Sequence, residues 1–343
     1  MLDDLKFIHF RDGQDALGIA EKQPAQLEYA FELPHISGEF SNVVYAGMGG
    51  SALAALLAAT WPGYNLPFEV CRDYHLPAYV SRETLFIASS YSGNTEETLS
   101  ALAEAEEKGA KVLVIAGGGK LVEIAKEKGH SLLLLPKADQ PRYAVFYNLK
   151  ALVAILEAAG LLNKNEATKE LHQTATFLTE VVKTWLPTVP QKDNPAKKLA
   201  MELAGNSIVI YGGPLMAPAA YKWKISFNEN AKNVAWWNQL SEFDHNELIG
   251  WSSHPIEKPY AIVELRSGLE NPRILKRFEV AEKLLSGRRP APYIVKPEGQ
   301  TVLEQLLWAV CFGDFVSIYV ALLNNQNPAP VDLVEKFKKQ LDQ

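Results

Sequence analysis

Ser89-Ser90-Tyr91-Ser92-Gly93-Asn94-Thr95-Glu96-Glu97-Thr98 joins a short apolar run, residues 84–88, to a helix-like stretch over residues 99–108. The apolar run is bounded by polar residues and predicts a buried strand. A loop of hydroxyls and one glycine between strand and helix makes a small anion cup. The first N–H groups of the helix point into it, and the helix dipole favours negative charge there. Ser90, Ser92 and Thr95 add neutral donors, and the loop carries no Lys or Arg. A capping box, with Ser92 or Asn94 as N-cap and Glu96 or Glu97 reaching back, accounts for one or two of these hydroxyls but not for three. Phosphate binding is therefore the expectation for this loop.

Working outward, short apolar segments bounded by Gly, Pro or Ser occur at 42–46, 68–71, 84–88, 111–116 and 131–135. Helix-like runs at 51–60, 96–108 and 120–128 separate them. That alternation predicts an α/β domain with a doubly wound parallel sheet. Helical stretches at 144–159 and about 166–185 follow, then a Pro-punctuated segment, 186–195, read as an inter-domain joint. The alternation restarts with strands at 207–211, 234–237, 260–265 and 293–295. Helices are expected after Gly212-Gly213-Pro214 to about Asn228 and over 273–285, 301–323 and 331–341. Ser41-Asn-Val-Val-Tyr-Ala-Gly47 parallels Asn206-Ser-Ile-Val-Ile-Tyr-Gly212, each running into a glycine turn and an Ala-rich helix. The layout predicts a duplicated α/β fold: a first domain over 1–160, a helical linker over 161–195 and a second domain over 196–343.

The whole chain is consistent with this. Its 343 residues suit two cores better than one. With 34 Lys and Arg against 40 Asp and Glu, the net charge is −6 and no basic run appears, which argues against nucleic acid as a partner. Positive potential for an anion must then come from local helix N-termini. The first six residues lack the apolar core of a signal peptide, and no apolar run is read as reaching membrane-spanning length. Cys71 and Cys311 lie in apolar segments and are expected as reduced core thiols. The histidines show no metal-ligand spacing, so no metal is expected. A cytoplasmic protein is the expectation.

Gly47-Met48-Gly49-Gly50-Ser51-Ala52 follows the first strand. It fits the dinucleotide pattern G-x-G-x-x-A, with Glu69 or Asp73 near the position of the ribose-binding acid, so an NAD(P)-dependent dehydrogenase is one alternative. Two loops at the ends of neighbouring strands, one offering Gly50 and Ser51 and the other Ser90, Ser92 and Thr95, fit a compact phosphomonoester better than a pyrophosphate.

These two loops and the duplicated layout resemble the sugar isomerase (SIS) fold. Asn194-Pro-Ala-Lys-Lys-Leu-Ala200, Asn228-Glu-Asn-Ala-Lys232 and His245-Asn-Glu-Leu-Ile-Gly-Trp251 resemble the bifunctional phosphoglucose/phosphomannose isomerases of archaea and some bacteria. The resemblance covers nearly the whole chain. It implies a cofactor-free isomerase of glucose 6-phosphate and fructose 6-phosphate, and of mannose 6-phosphate, acting as a homodimer. Its active site would lie between the two domains and at the dimer interface. Such a reaction needs a base to move a proton between C2 and C1, a group to open the sugar ring, and a cation beside the enediolate. By resemblance Glu229 is the base, and its plain alternative is a helix pair with Lys232. His245 is the ring opener, reaching the active site of the other subunit; a histidine ordinarily titrates near neutrality. Arg142, at the start of a helix where its charge opposes the dipole, matches the cation near C1 and C2. Lys338 matches a C-terminal lysine that assists ring opening. Trp236, Trp237 and Trp251 read as core or dimer packing. Two rival functions fit the phosphosugar loops as well. One is a non-catalytic phosphosugar regulator, for which no DNA-binding helix is found. The second is a related SIS enzyme acting on an aminosugar or arabinose phosphate.

Overall fold

A computed structural model describes residues 1–138, 140–253 and 259–341. Helices α1 (Leu5–Arg11) and α2 (Ala16–Glu21) come first. They are followed by β1 (Asn42–Ala46), α3 (Gly49–Thr60), β2 (Phe68–Cys71), β3 (Thr84–Ser90), α4 (Glu96–Glu107), β4 (Lys111–Ala116), α5 (Gly119–Lys128), β5 (Ser131–Leu134), α6 (Val145–Ala158) and α7 (Glu166–Val182). The second half holds α8 (Pro195–Leu203), β6 (Ser207–Gly212), α9 (Ala217–Glu229), β7 (Ala235–Gln239), α10 (Glu242–His245), α11 (Glu247–Gly250), β8 (Tyr260–Leu265), α12 (Pro272–Leu285), β9 (Tyr293–Val295), α13 (Val302–Leu323) and α14 (Asp332–Leu341).

The elements form two compact units, Lys22–Phe177 on the one hand and Met1–Glu21 with Leu178–Gln343 on the other. The boundaries expected from sequence, 1–160, 161–195 and 196–343, differ from this division at both ends. The first 21 residues belong with the second sheet: Lys197 Nζ donates to Asp3 Oδ1 at 3.1 Å. Helix α7 runs through the point of division. The segment read as a joint ends where helix α8 begins. Asn194 caps it, accepting from the Lys197 N–H at 3.0 Å, and Pro195 sits in its first turn.

In the first unit the strand order is β2-β1-β3-β4-β5, and every pair is parallel. Strands β1 and β3 are buried along their whole length, as a parallel sheet covered on both faces requires. Helices α4 and α5 cover the face bearing Val44, Ala46, Phe86, Ala88, Val112 and Val114. Right-handed crossovers send α3 to the other face, where it packs on α6. Burying a side chain such as Phe86 contributes about 1.5–3 kcal/mol. Strand β3 extends two residues beyond expectation, because Ser89 and Ser90 pair in register with Ile115 and Ala116.

The second unit repeats the arrangement in four strands, β7-β6-β8-β9, all parallel. The matching segments Ser41–Gly47 and Asn206–Gly212 contain β1 and β6, which hold the same place in their sheets. Helix α13 corrects the expectation about apolar runs. Its 22 residues, with an 18-residue window of mean hydropathy 2.1, are long and apolar enough to cross a membrane, and 94% of that window is buried inside the protein. A helix apolar on all sides is what a central core position demands. Its neighbour α9 meets it through a buried polar ladder. Lys222 Nζ pairs with Asp314 Oδ1, which also accepts from Ser226 Oγ at 2.6 Å, and Asn230 Nδ2 donates to Ser317 Oγ at 2.9 Å. Cys71 and Cys311 are free and buried.

Asp314→Ala removes the carboxylate from a buried ammonium and is expected to destabilise the second unit by about 3–5 kcal/mol. Lys222→Met with Asp314→Leu removes both charges and should recover most of that loss. Urea denaturation of the three proteins, followed by tryptophan fluorescence, checks this; equal stability of single and double variants would contradict it.

Candidate active site

A sheet of order 2-1-3-4-5 has its topological switch point between β1 and β3, where the chain leaves toward opposite faces and a crevice opens at the carboxyl ends of the strands. The two loops singled out in the sequence follow these two strands. Ser90 Oγ lies 2.8 Å from Thr95 Oγ1 and 3.3 Å from Ser92 Oγ. The Tyr91 N–H donates to Ser51 Oγ at 3.3 Å, so Ser51 of the first loop touches the second. The N-cap residues of α3 and α4, Met48 and Thr95, make no side-chain capping bond. Thr95 is thus the N-cap, rather than Ser92 or Asn94, and its hydroxyl turns to Ser90 and away from the helix. The structure brings Ser51, Ser90, Ser92 and Thr95 together around two helix N-termini, an arrangement suited to a phosphate.

Glycine is required at one point of this loop. Gly93 has φ +71°, and a Cβ there would stand 1.8 Å from the Gly118 carbonyl oxygen. The second loop is therefore seated directly against the start of α5. Asn94 Oδ1 completes the seat, accepting from the Lys120 N–H at 3.0 Å.

Arg142 lies beside the first loop. A Cβ on Gly50 would come within 3.2 Å of the Pro141 carbonyl oxygen and 3.6 Å of Arg142 Cα. Arg142 does not begin the long helix, as expected, but sits in a 3-10 turn, Pro141–Tyr143, ahead of α6. Its side chain is only 4% exposed, stacks on Tyr143 at 5.1 Å, and donates to Gln140 Oε1 at 3.1 Å.

Glu229, His245 and Lys338 belong to the other unit. Glu229 is the last residue of α9 and half-buried. Lys232 Nζ donates to the Glu229 carbonyl at 2.9 Å and to those of Asn327 and Pro328 at 2.7 and 3.0 Å, which closes the C-terminal end of α9. His245 ends α10 and is exposed. Lys338 lies on α14, where it pairs with Glu335 at 3.1 Å; none of that helix is buried, and Leu333, Val334 and Phe337 face out. Trp236 and Trp251 both pack edge-on against Tyr260. Among the described residues no group of three or more His, Cys, Asp or Glu is placed to hold a metal ion.

One residue that separates the two sheets carries no signature in the sequence. The second sheet has its own switch point, between β6 and β8. There Glu270 Oε1 accepts the Leu215 N–H at 2.9 Å, and a Cβ on Gly213 would stand 2.3 Å from the same oxygen. Glu270 is 5% exposed, and burial pushes its carboxyl above the usual range against the pull of the Leu215 and Met216 N–H groups. An anion at this crevice would meet a buried carboxyl group.

Glu270 is more easily ionised in the unfolded chain than in the fold. Ionising it therefore lowers stability as pH rises from the ordinary carboxyl value of about 4 through its raised folded value. Glu270→Gln keeps the acceptor and removes the charge. Its melting temperature relative to the parent protein should rise between pH 4 and pH 7; a difference that does not change with pH would contradict this.

Comparison with known proteins agrees with the geometry. Residues 39–162 match the SIS domain family, and residues 192–341 match the bacterial phospho-glucose isomerase C-terminal SIS domain. A bifunctional phosphoglucose/phosphomannose isomerase of Caldicellulosiruptor bescii is 34% identical over 328 residues, covering 93% of this chain and 96% of that protein. One of Aquifex aeolicus is 34% identical, covering 88% of this chain and 91% of that protein. A glucose-6-phosphate isomerase like protein from Thermus thermophilus superposes with a TM-score of 0.67 at 20% identity, covering 98% of each chain, and shares the fold. With this likeness over nearly its full length, the chain belongs to the bifunctional phosphoglucose/phosphomannose isomerase family.

Proposed function

We propose that this isomerase interconverts glucose 6-phosphate and fructose 6-phosphate, and also mannose 6-phosphate, by moving a proton between C2 and C1 through an enediolate, without a metal. The observation that carries this reading is the hydroxyl cup at the β1/β3 switch point with Arg142 beside it. Ser51, Ser90, Ser92, Thr95 and the Gly50 backbone hold the phosphate. Holding the remote phosphate keeps the sugar carbons in register for proton transfer. Arg142 is buried, so its charge acts in a medium less polar than water and stabilises the enediolate more strongly.

Glu229 takes the C2 proton and returns it to C1, while the proton of the O2 hydroxyl passes to O1 of the enediolate. His245 and Lys338 protonate the ring oxygen and take the anomeric hydroxyl proton as the ring opens. The chain works in the cytoplasm as a homodimer, with His245 serving the partner copy. The dinucleotide alternative loses support from Ser51, which is tied to the hydroxyl loop, and from Glu69, which accepts the Tyr79 hydroxyl.

Ser92→Ala and Thr95→Val should each raise the KM for fructose 6-phosphate about fivefold, the equivalent of about 1 kcal/mol for a lost hydrogen bond. An unchanged KM in both would displace the phosphate from this cup. Glu229→Gln should slow deuterium incorporation from solvent into fructose 6-phosphate by about 10²-fold or more. Near-normal exchange would move the base elsewhere. Activity is expected to survive prolonged chelation. If His245 serves the partner, mixing Glu229→Gln and His245→Ala subunits should restore part of the activity. No recovery despite proven subunit exchange would place both residues in one chain.

A further inference from the structure

His245 stands on a segment that does not hold its own shape. Helices α10 and α11 have four residues each and meet at Asn246, a non-helical residue with φ −145°. One-turn helices are unstable without tertiary support. His245 itself is exposed, so its orientation must come from its neighbours.

Those neighbours are anchored on both sides. Before it, Phe243 is buried in the second-unit core against Tyr211, with ring centroids 4.8 Å apart, and Asp244 accepts from Arg277 Nη1 at 2.6 Å. After it, Glu247 has both carboxylate oxygens engaged. Tyr211 on β6 donates its hydroxyl proton to Oε1, and Asn238 Nδ2 on β7 donates to Oε2 at 2.7 Å. The Tyr211 hydroxyl in turn accepts from Trp251 Nε1 at 3.1 Å, which ties down the far end of α11. Burial and the Glu247 carboxylate push the Tyr211 hydroxyl well above its ordinary titration range, so it stays a donor. Glu247 joins the segment to two parallel strands, and with both oxygens occupied it is ill placed to act as a base.

We infer that Glu247, held by Tyr211 and Asn238, is a positioning residue that fixes the angle at which His245 is presented for ring opening. This rests on the ring-opening role proposed above for His245. Such a role makes a specific demand. Loosening the anchor should slow the enzyme on a substrate that must open and spare it on one that is already open. 5-Deoxyfructose 6-phosphate lacks the hydroxyl that closes the ring and serves as the open-chain probe.

The test compares His245→Ala, Glu247→Gln and Tyr211→Phe on fructose 6-phosphate and on the open-chain probe. In Glu247→Gln the amide nitrogen replaces one acceptor oxygen, and both partners are donors, so one anchor bond is lost. Tyr211→Phe removes the same bond from the other side and keeps the aromatic packing. Both should lower kcat on fructose 6-phosphate about tenfold with less than a twofold change in KM. Rates on the open-chain probe should stay within twofold, and circular dichroism should be unchanged. His245→Ala should show the same substrate selectivity more strongly. If His245→Ala is selective but the anchor variants slow both substrates equally, or neither, the positioning role is wrong and the His245 role stands. If His245→Ala slows both substrates equally, the ring-opening role falls and the positioning role falls with it.

Discussion

The site depends on the divergence of the chain at β1 and β3. Two parallel strands lie side by side, yet the helices that follow them leave for opposite faces of the sheet, because both crossovers are right-handed. The first turns of α3 and α4 then face the same crevice at the carboxyl ends of the strands. Neither helix start is closed by its own N-cap side chain. The partial positive charge of two helices, with the hydroxyls of Ser51, Ser90, Ser92 and Thr95, is thus gathered in a chain whose net charge is −6. Helix N-termini attract anions without a basic side chain, and the loop carries none. The nearby cation, Arg142, lies against the first loop through its backbone, and in the proposed reaction its charge serves the sugar rather than the phosphate.

The same fold occurs twice, and one buried carboxyl group makes the copies unequal. Glu270 fills the second switch point with an internal acceptor for the Leu215 N–H. The second unit instead carries the half-buried Glu229 and the exposed His245 at the ends of short or terminal helical segments. Ends of helices are mobile unless held. Here they are held by polar groups: the buried Lys222–Asp314–Ser226 ladder beneath α9, the exposed Lys232 on the carbonyls at its end, and the half-buried Glu247 on the strands below α10 and α11. Each replaces freedom of the backbone with a bond that has only one satisfied geometry.

Much of this was legible along the chain. The alternation of apolar runs with helix-like segments depends on neighbours within ten or so residues, and nearly every strand and helix of the two sheets appears where the periodicity puts it. The hydroxyl loop and the glycine turn were legible for the same reason, since turn chemistry is local. Helix α8 was signalled by Asn194-Pro195 within the expected joint, and the strand end at Ser90 was missed because serine has no marked strand preference. The length of the apolar run in α13 was missed because Gln305 and Asp314 interrupt it; in the fold those groups bond to Ser267 and Lys222.

The sequence by itself determined which segments are strands, that there are two sheets, and which loop carries a cluster of hydroxyls at a helix start. Only the tertiary structure decided that Glu270 fills the second switch point, that Arg142 sits in a buried turn beside Gly50, and that Glu247 bonds to two strands. The physical reason is distance along the chain. Gly213 and Glu270, Lys222 and Asp314, and Tyr211 and Glu247 each meet across whole elements of structure, and whether a carboxylate is a base, a plug or an anchor depends on which donors surround it.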